Sequence, residues 1–410
     1  MLNQDQQAAL GRLSTFVFDD SRELVLSGAA GTGKSYLINQ FLQGFSSYVA
    51  LGKAVASGDF PETLMITATT NKAVSALQSQ LISLEEVKTV HSALGIRPLY
   101  DFSTKKTKLI LTDKHTLHSN LLIIIDEYSY IDEELYTIIH KNLRNCKILY
   151  VGDSYQLPPI GSDLPYIDVL GIEKVELTQI MRQTDNNPIQ ALSHDLRESV
   201  KNKTPLPRIP LGTEIMKVDR TQFQQMLVND LRTTTNIKYL AHSNKAVQHY
   251  NKNLYQILQS QSESYNKGDI VQVNRFISNE RVKLKPEMIT SIDDISYNTK
   301  RHIEGTDYLG MDLYIEGYWF FMPYNVADYD KALDSASPQL VQVIQEEWID
   351  VRHAYACTIH KSQGSTFKKV YIDLHDMSFI YNRDRELFKR LLYVAVSRAK
   401  EQVVFTGDIG

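Results

Sequence analysis

The chain has 410 residues, 43% hydrophobic and 22% charged, with 44 Lys and Arg against 48 Asp and Glu for a formal net charge of −4. That length is too great for one core and suits two or three domains. The slightly acidic balance excludes a general basic field around the molecule, so any nucleic-acid binding must use a local groove in which aromatics and backbone groups share the work.

In chain order, the apolar run Glu23–Ser27 enters a Gly-rich turn and is followed by a helical pattern over Tyr36–Phe45. Thr63–Thr67, Leu121–Ile125 and Lys147–Val151 are further strand candidates, the last two ending in Asp126-Glu127 and Gly152-Asp153. Continuous apolar strands separated by helices predict a parallel sheet covered on both faces, and such sheets place ligands at the carboxyl ends of their strands. Gly95–Ser119, rich in Lys and Thr, breaks this rhythm and reads as a hairpin excursion. Lys203–Gly212, with three prolines, reads as a surface connection. A second α/β pattern begins at Ile237–Ala241 and the helical Asn244–Leu258. Short alternating segments with turn signals then fill Tyr265–Glu347 and predict a β-rich insertion. The α/β style resumes at Tyr355 and ends in Val403–Thr406.

Gly28-Ala29-Ala30-Gly31-Thr32-Gly33-Lys34-Ser35 matches the phosphate-binding loop pattern in full, between a strand and a helix. Glycines let backbone N–H groups turn toward phosphates, and the helix N-terminus adds its dipole. In that setting Lys34 is expected to reach the β- and γ-phosphates of ATP and Ser35 to hold Mg²⁺. Asp126 would serve the metal and Glu127 would orient and activate the attacking water. Gln156, in the loop after Gly152-Asp153, is placed to sense the γ-phosphate or the water. These parts make a nucleoside-triphosphate hydrolase, which many unrelated machines share.

Further motifs narrow the reading. Leu2-Asn3-Gln4-Asp5-Gln6, Thr67-Ala68-Thr69-Thr70-Asn71-Lys72-Ala73, Thr89-Val90-His91-Ser92, Leu177-Thr178-Gln179-Ile180-Met181-Arg182-Gln183, Thr358-Ile359-His360-Lys361-Ser362-Gln363-Gly364-Ser365 and Tyr393-Val394-Ala395-Val396-Ser397-Arg398-Ala399 follow in order. Together they resemble the motif set of the superfamily 1B helicases, the Pif-like, RecD-like and phage Dda-like branch, over nearly the whole chain. The resemblance implies an α/β fold of two RecA-like parallel-sheet P-loop NTPase domains: 1–88 with 120–178, and 179–264 with 348–410. It implies a hairpin or pin insertion at 89–119 and a β-rich, SH3-like insertion at 265–347. It also implies an ATP-dependent DNA helicase moving 5′ to 3′ on single-stranded DNA and opening fork DNA. Gln6 would read adenine. Arg182 would be an arginine finger, and Arg398 would reach the γ-phosphate. Thr70, Asn71, Lys72, His91, Thr358, His360 and Lys361 would touch the strand, and Tyr100 or Phe102 would stack on the base pair at the fork. Tyr128 departs from the many relatives that carry a small or apolar residue there.

Other readings predict different behaviour. An RNA helicase or a translocase without unwinding would differ in which oligomer stimulates turnover. A nucleotide-switched nucleic-acid-binding module would show little stimulated turnover, and a small-molecule P-loop kinase would leave the distal arginines unused. Cys146 and Cys357 have no neighbouring Cys at ligand spacing, which fits a reducing compartment. With no signal peptide and no apolar run long enough to span a bilayer, the expectation is a cytoplasmic, monomeric protein with no membrane partner, working beside replication or recombination proteins.

Overall fold

The computed structural model describes residues 2–55, 60–81, 86–101, 106–112, 117–159, 161–179, 187–234, 236–259 and 265–409. Arg182 and Phe102 lie outside the described residues, as does the side chain of Tyr100. The chain divides into two compact units: Met1–Tyr100, Thr107–Val218 and Ile359–Gly410 form one, Asp101–Lys106 and Asp219–Thr358 the other.

The first unit is organised by a six-stranded sheet in the spatial order Lys174–Leu177, Glu23–Gly28, Lys147–Gly152, Leu121–Asp126, Thr63–Ala68 and Lys88–Thr89. Every pairing in it is parallel. The expectation from the apolar runs holds for a physical reason. Leu24, Leu26, Leu122 and Ile124 face a core built with Leu13 and Phe16 of helix Gln4–Phe16 and Leu37 and Phe41 of helix Lys34–Val55. Val25, Ile123 and Ile125 face the other way, into a core with Leu135 and Ile139 of helix Glu133–Lys141. Side chains alternate along a strand, so two covered faces demand an unbroken apolar sequence. Because all strands run the same way, Gly28, Ala68, Asp126 and Gly152 end on one edge.

The expected excursion forms a two-stranded sheet of Ile96–Asp101 and Lys106–Leu111. Leu109 and Leu111 pack on the second core, and the Leu109 N–H donates to the Glu134 carboxylate at 3.0 Å. Later in the unit, Ile215–Lys217, Ala399–Thr406 and Phe367–Asp373 pair in parallel. Helices Pro188–Asn202, Leu374–Arg383 and Arg385–Ser397 accompany these strands. Residues 388 and 391–396 are all buried, so the last helix runs through protein interior.

In the second unit Ile237–Ala241 pairs in parallel with Ala356–Thr358. The β-rich expectation for 265–347 is met by three antiparallel arrangements, the smallest pairing Ile277–Ser278 with Lys283–Leu284. Ile270–Val273 lies between Ile289–Ser291 and Val351–His353, and Asp294–Ile303, Thr306–Ile315 and Tyr318–Pro323 form a meander. Two helices, Ala327–Ser335 and Pro338–Glu347, were not expected there. Pro338 occupies the first turn of its helix, where its missing N–H costs nothing. Both helices pack around Trp348 through Tyr329, Leu333, Val341 and Ile344.

Candidate nucleotide site and nucleic-acid interface

The phosphate loop leaves strand Glu23–Gly28 and ends at the start of helix Lys34–Val55. Gly31 and Gly33 have φ of 88° and 84°, which side chains resist. At Gly28 a Cβ would lie 2.6 Å from the Thr32 hydroxyl oxygen and 3.1 Å from the Leu177 carbonyl oxygen, so this position has no room for one. The Thr32 hydroxyl donates to the Ala29 carbonyl at 2.9 Å. Lys34 Nζ donates to the carbonyls of Gly28 at 2.6 Å and Ala29 at 3.1 Å, which arches its ammonium over the loop. Gln6 is fully buried, and its Nε2 donates to the Thr32 carbonyl at 3.1 Å. Its Oε1 accepts from the Asn3 N–H, completing a capping box at the start of helix Gln4–Phe16. Gln6 therefore abuts the phosphate loop.

Asp126 is the last residue of its strand, and Glu127 follows with φ 55° and ψ 46°. A non-glycine residue held there costs about 1–3 kcal/mol, and such strain concentrates at functional sites. Burial, and then the Glu127 charge, push the Asp126 carboxyl up to about 7, with Lys34 pulling the other way. Burial likewise raises Glu127, opposed by the positive charges of Arg398 and Lys34. Among the described residues, Glu127 Oε2 is buried without a hydrogen-bond partner. A buried acid pair short of positive charge, next to the loop that carries Lys34, is the donor set a hard divalent cation fits. Arg398 is itself buried; it donates to the Ser365 carbonyl at 3.2 Å and to the Ser397 hydroxyl at 2.9 Å. Lys34, Glu127 and Arg398, called from segments far apart in sequence, thus share one electrostatic environment.

Gln156 is buried and its Oε1 accepts from Gln363 Nε2 at 3.2 Å. Several neighbours of this loop escaped the sequence reading. Asp153 accepts from the Tyr393 hydroxyl at 2.5 Å and from Arg197 Nε at 3.3 Å. Arg390 Nη1 donates to the carbonyls of Ser154 at 2.9 Å and Gln156 at 2.7 Å. The available signal was the i, i+3 spacing of Arg390 and Tyr393, the latter opening the last motif, which puts both on one helix face. Tyr128 is buried; its hydroxyl lies 2.8 Å from the Ser154 hydroxyl, which in turn lies 3.0 Å from that of Ser27. The unusual tyrosine thus ties the ends of three strands together.

The strand-side candidates are partly gathered. Thr70 caps helix Asn71–Gln80 by accepting the Ala73 N–H, and Lys72 Nζ donates to the Lys361 carbonyl at 2.7 Å. The Tyr130 hydroxyl donates to the His360 carbonyl at 2.8 Å. Thr70, Asn71, Lys72, His360 and Lys361 therefore converge. His91 sits on the short helix Val90–Ala93, its pKa lowered by burial against the opposing charge of Asp132. Thr358 ends strand Ala356–Thr358 in the second unit. Among the described residues no group of three or more His, Cys, Asp and Glu is arranged to hold a metal ion, and no helix is long and apolar enough to cross a membrane.

A phosphate loop, a strand-end acid pair and a buried arginine bearing on it define a P-loop nucleoside-triphosphatase built on parallel α/β sheets. A family model described as an AAA domain matches residues 17–162, and one described as the UvrD-like helicase C-terminal domain matches residues 353–406. The chain is 26% identical over 416 residues to the ATP-dependent RecD2 DNA helicase of Deinococcus radiodurans, covering 99% of this chain and 49% of that protein, so it spans about half of that relative's length. It is 23% identical over 426 residues to the ATP-dependent DNA helicase Pif1 of Campylobacter jejuni, covering 91% of this chain and 86% of that protein. A solved structure of two coordinating Pif1 helicases at forked dsDNA is similar over 99% of this chain and 92% of that one, with 16% identity and a TM-score of 0.46. In its ordered motifs, in the two family models and in these relatives the chain is similar to the Pif1-like and RecD-like helicases.

Proposed function

We propose that this protein is an ATP-dependent DNA helicase that moves 5′ to 3′ on single-stranded DNA and opens the duplex ahead of it. The observation that carries this is the joint action of Lys34 and Arg398 on Glu127. Phosphoryl transfer to water needs a carboxylate to orient the nucleophile and positive charge at the transferred group, and Glu127 under the influence of Lys34 and Arg398 supports that reading. Backbone N–H groups of residues 28–35 would cradle the phosphates, Gln6 would read the base, and Gln156 would sense the γ-phosphate. Ser35 and Asp126 would hold Mg²⁺, which when bound neutralises charge on the phosphates. Arg182 would add a second guanidinium.

The same reading divides the chain into 1–88 with 120–178, the pin at 89–119, 179–264 with 348–410, and the insertion at 265–347. Thr70, Asn71, Lys72, His91, Thr358, His360 and Lys361 would grip phosphates and base faces, contacts that carry no sequence code and so permit translocation. Tyr100 or Phe102 would stack at the fork. The protein would work as a monomer inside the cell, alongside replication or recombination proteins. The test is strand separation on 5′-tailed and 3′-tailed duplexes with and without ATP. ATP-dependent opening of the 5′-tailed duplex alone is expected. Opening only the 3′-tailed one reverses the direction, and stimulated hydrolysis with neither opened leaves a translocase.

A further inference from the structure

A buried arginine has no part in the scheme above. Arg390 is only 6% exposed, and its burial lowers its pKa from the usual arginine range while Asp153, Asp168 and Glu386 oppose that shift. Among the described residues it forms no ion pair. It spends Nη1 on two main-chain oxygens, those of Ser154 and Gln156. Burying a guanidinium is costly unless its hydrogen bonds are well made, and a pair of carbonyls repays less than a carboxylate would. What this placement fixes is the path of the backbone on either side of Tyr155.

The same turn is held at its other end. The Gln156 N–H closes onto the Asp153 carbonyl at 3.2 Å, and the Tyr155 N–H donates to the Asp153 side chain at 3.1 Å. The Asp153 carboxylate accepts from Tyr393 and Arg197. Arg390 and Tyr393 lie one turn apart on helix Arg385–Ser397, whose C-cap is Arg398. A buried helix of this length is stiff, so its contacts at Arg390 and Tyr393 fix the Asp153–Gln156 turn relative to the guanidinium of Arg398. Gln363 adds a side-chain bond to Gln156 from the segment that also gives its Ser365 carbonyl to Arg398.

We propose that Arg390 is a positioning residue that, with Tyr393, clamps the Gln156 turn to the Arg398 helix so that the two phosphate-facing groups move as one piece. This rests on the reading of Gln156 as the γ-phosphate sensor. The clamp acts on the turnover step and leaves ground-state nucleotide binding almost untouched.

The test uses the full chain and single-strand-stimulated ATP hydrolysis. Arg390→Met is expected to lower kcat roughly tenfold with KM for ATP changed by less than about twofold, and Arg390→Lys to recover part of the loss. In a Gln156→Ala background, Arg390→Met should add nothing, because it acts through that residue. Independent, multiplying losses would overturn the proposal, as would a wild-type kcat in Arg390→Met. Should Arg390→Met fail to fold, Tyr393→Phe removes only a hydroxyl and must show the same kcat-only loss and the same non-additivity. Wild-type turnover in Gln156→Ala alone would overturn the sensor reading, and the clamp with it. A loss in Gln156→Ala without one in the clamp variants would overturn the clamp alone.

Discussion

The carboxylate of Asp5 accepts both the N–H of Thr178, at 3.0 Å, and its hydroxyl, at 2.5 Å, on a single oxygen. The Gln179 N–H joins them at 3.1 Å, and these bonds hold the Asp5 pKa below its ordinary value. The next residue, Gln6, donates to the phosphate loop at Thr32. One turn of helix therefore touches both the loop and the segment that runs on toward Arg182. On the proposal that Arg182 acts as a finger, Asp5→Ala is expected to lower kcat for ATP hydrolysis by roughly three- to tenfold, because a finger contributes in the transition state. Asp5→Asn, which keeps an acceptor oxygen, should lose less. A change confined to KM would show that the contact serves nucleotide binding instead.

Lys34→Ala removes the ammonium over the phosphate loop and one of the two positive charges that oppose the rise of Glu127. A fall in hydrolysis of at least about a hundredfold is expected. Fluorescence anisotropy with a labelled single strand should show affinity within about twofold of wild type, because the bonds of Thr70 and Lys72 do not pass through Lys34. Retained stimulated hydrolysis would refute the assignment of the site.

The paired strands Ile96–Asp101 and Lys106–Leu111 are tied to helix Glu133–Lys141 by the bond from the Leu109 N–H to Glu134. If the hairpin separates strands, loosening it should uncouple unwinding from hydrolysis. Glu134→Ala, and Ala at both Tyr100 and Phe102, should each slow strand separation by more than they slow DNA-stimulated ATP hydrolysis. Aromatic stacking at the fork is worth roughly 1–3 kcal/mol per base, so the double replacement is expected to have the larger effect. Equal losses in both assays would rule out a separating role.

What the sequence disclosed followed contiguity. The phosphate loop is eight consecutive residues, and the two-faced sheet is visible because Leu121–Ile125 carries both faces in one run. Arg398 was found only through resemblance, since nothing local distinguishes it from a surface arginine; its burial and its charge on Glu127 are tertiary facts. Arg390 was missed for the same reason, as were the contacts of Asp153 and Tyr393, which stand within the quoted motifs but were given no role. The hydroxyl that meets Asp153 comes from 240 positions away, and no periodicity in either segment reports that distance. The helices Ala327–Ser335 and Pro338–Glu347 were hidden by their proline and by turn-like neighbours, although Val341 and Ile344 had helical spacing.

In the second unit, His353 lies between two phenol rings, with centroids 4.0 Å from Tyr255 and 4.5 Å from Tyr265 and nearly parallel planes. Its strand pairs with Ile270–Val273, so the ring is fixed by the sheet as well as by the stack. Burial lowers its pKa from 6.5 to about 4. The folded form keeps this imidazole neutral where the unfolded chain would take up a proton. Between about pH 6.5 and pH 4 the unfolded state binds more protons, and stability falls as pH falls. The loss from this one group is at most about 3.5 kcal/mol, complete only below the folded value. Carboxylates elsewhere also titrate on the acid side, so the informative quantity is a difference. His353→Phe retains an aromatic ring in the stack and cannot be protonated. Urea unfolding at about pH 7.5 and about pH 5 should show a smaller acid-induced loss in the variant than in the wild type. Equal losses would mean that the ring takes up its proton without leaving the stack.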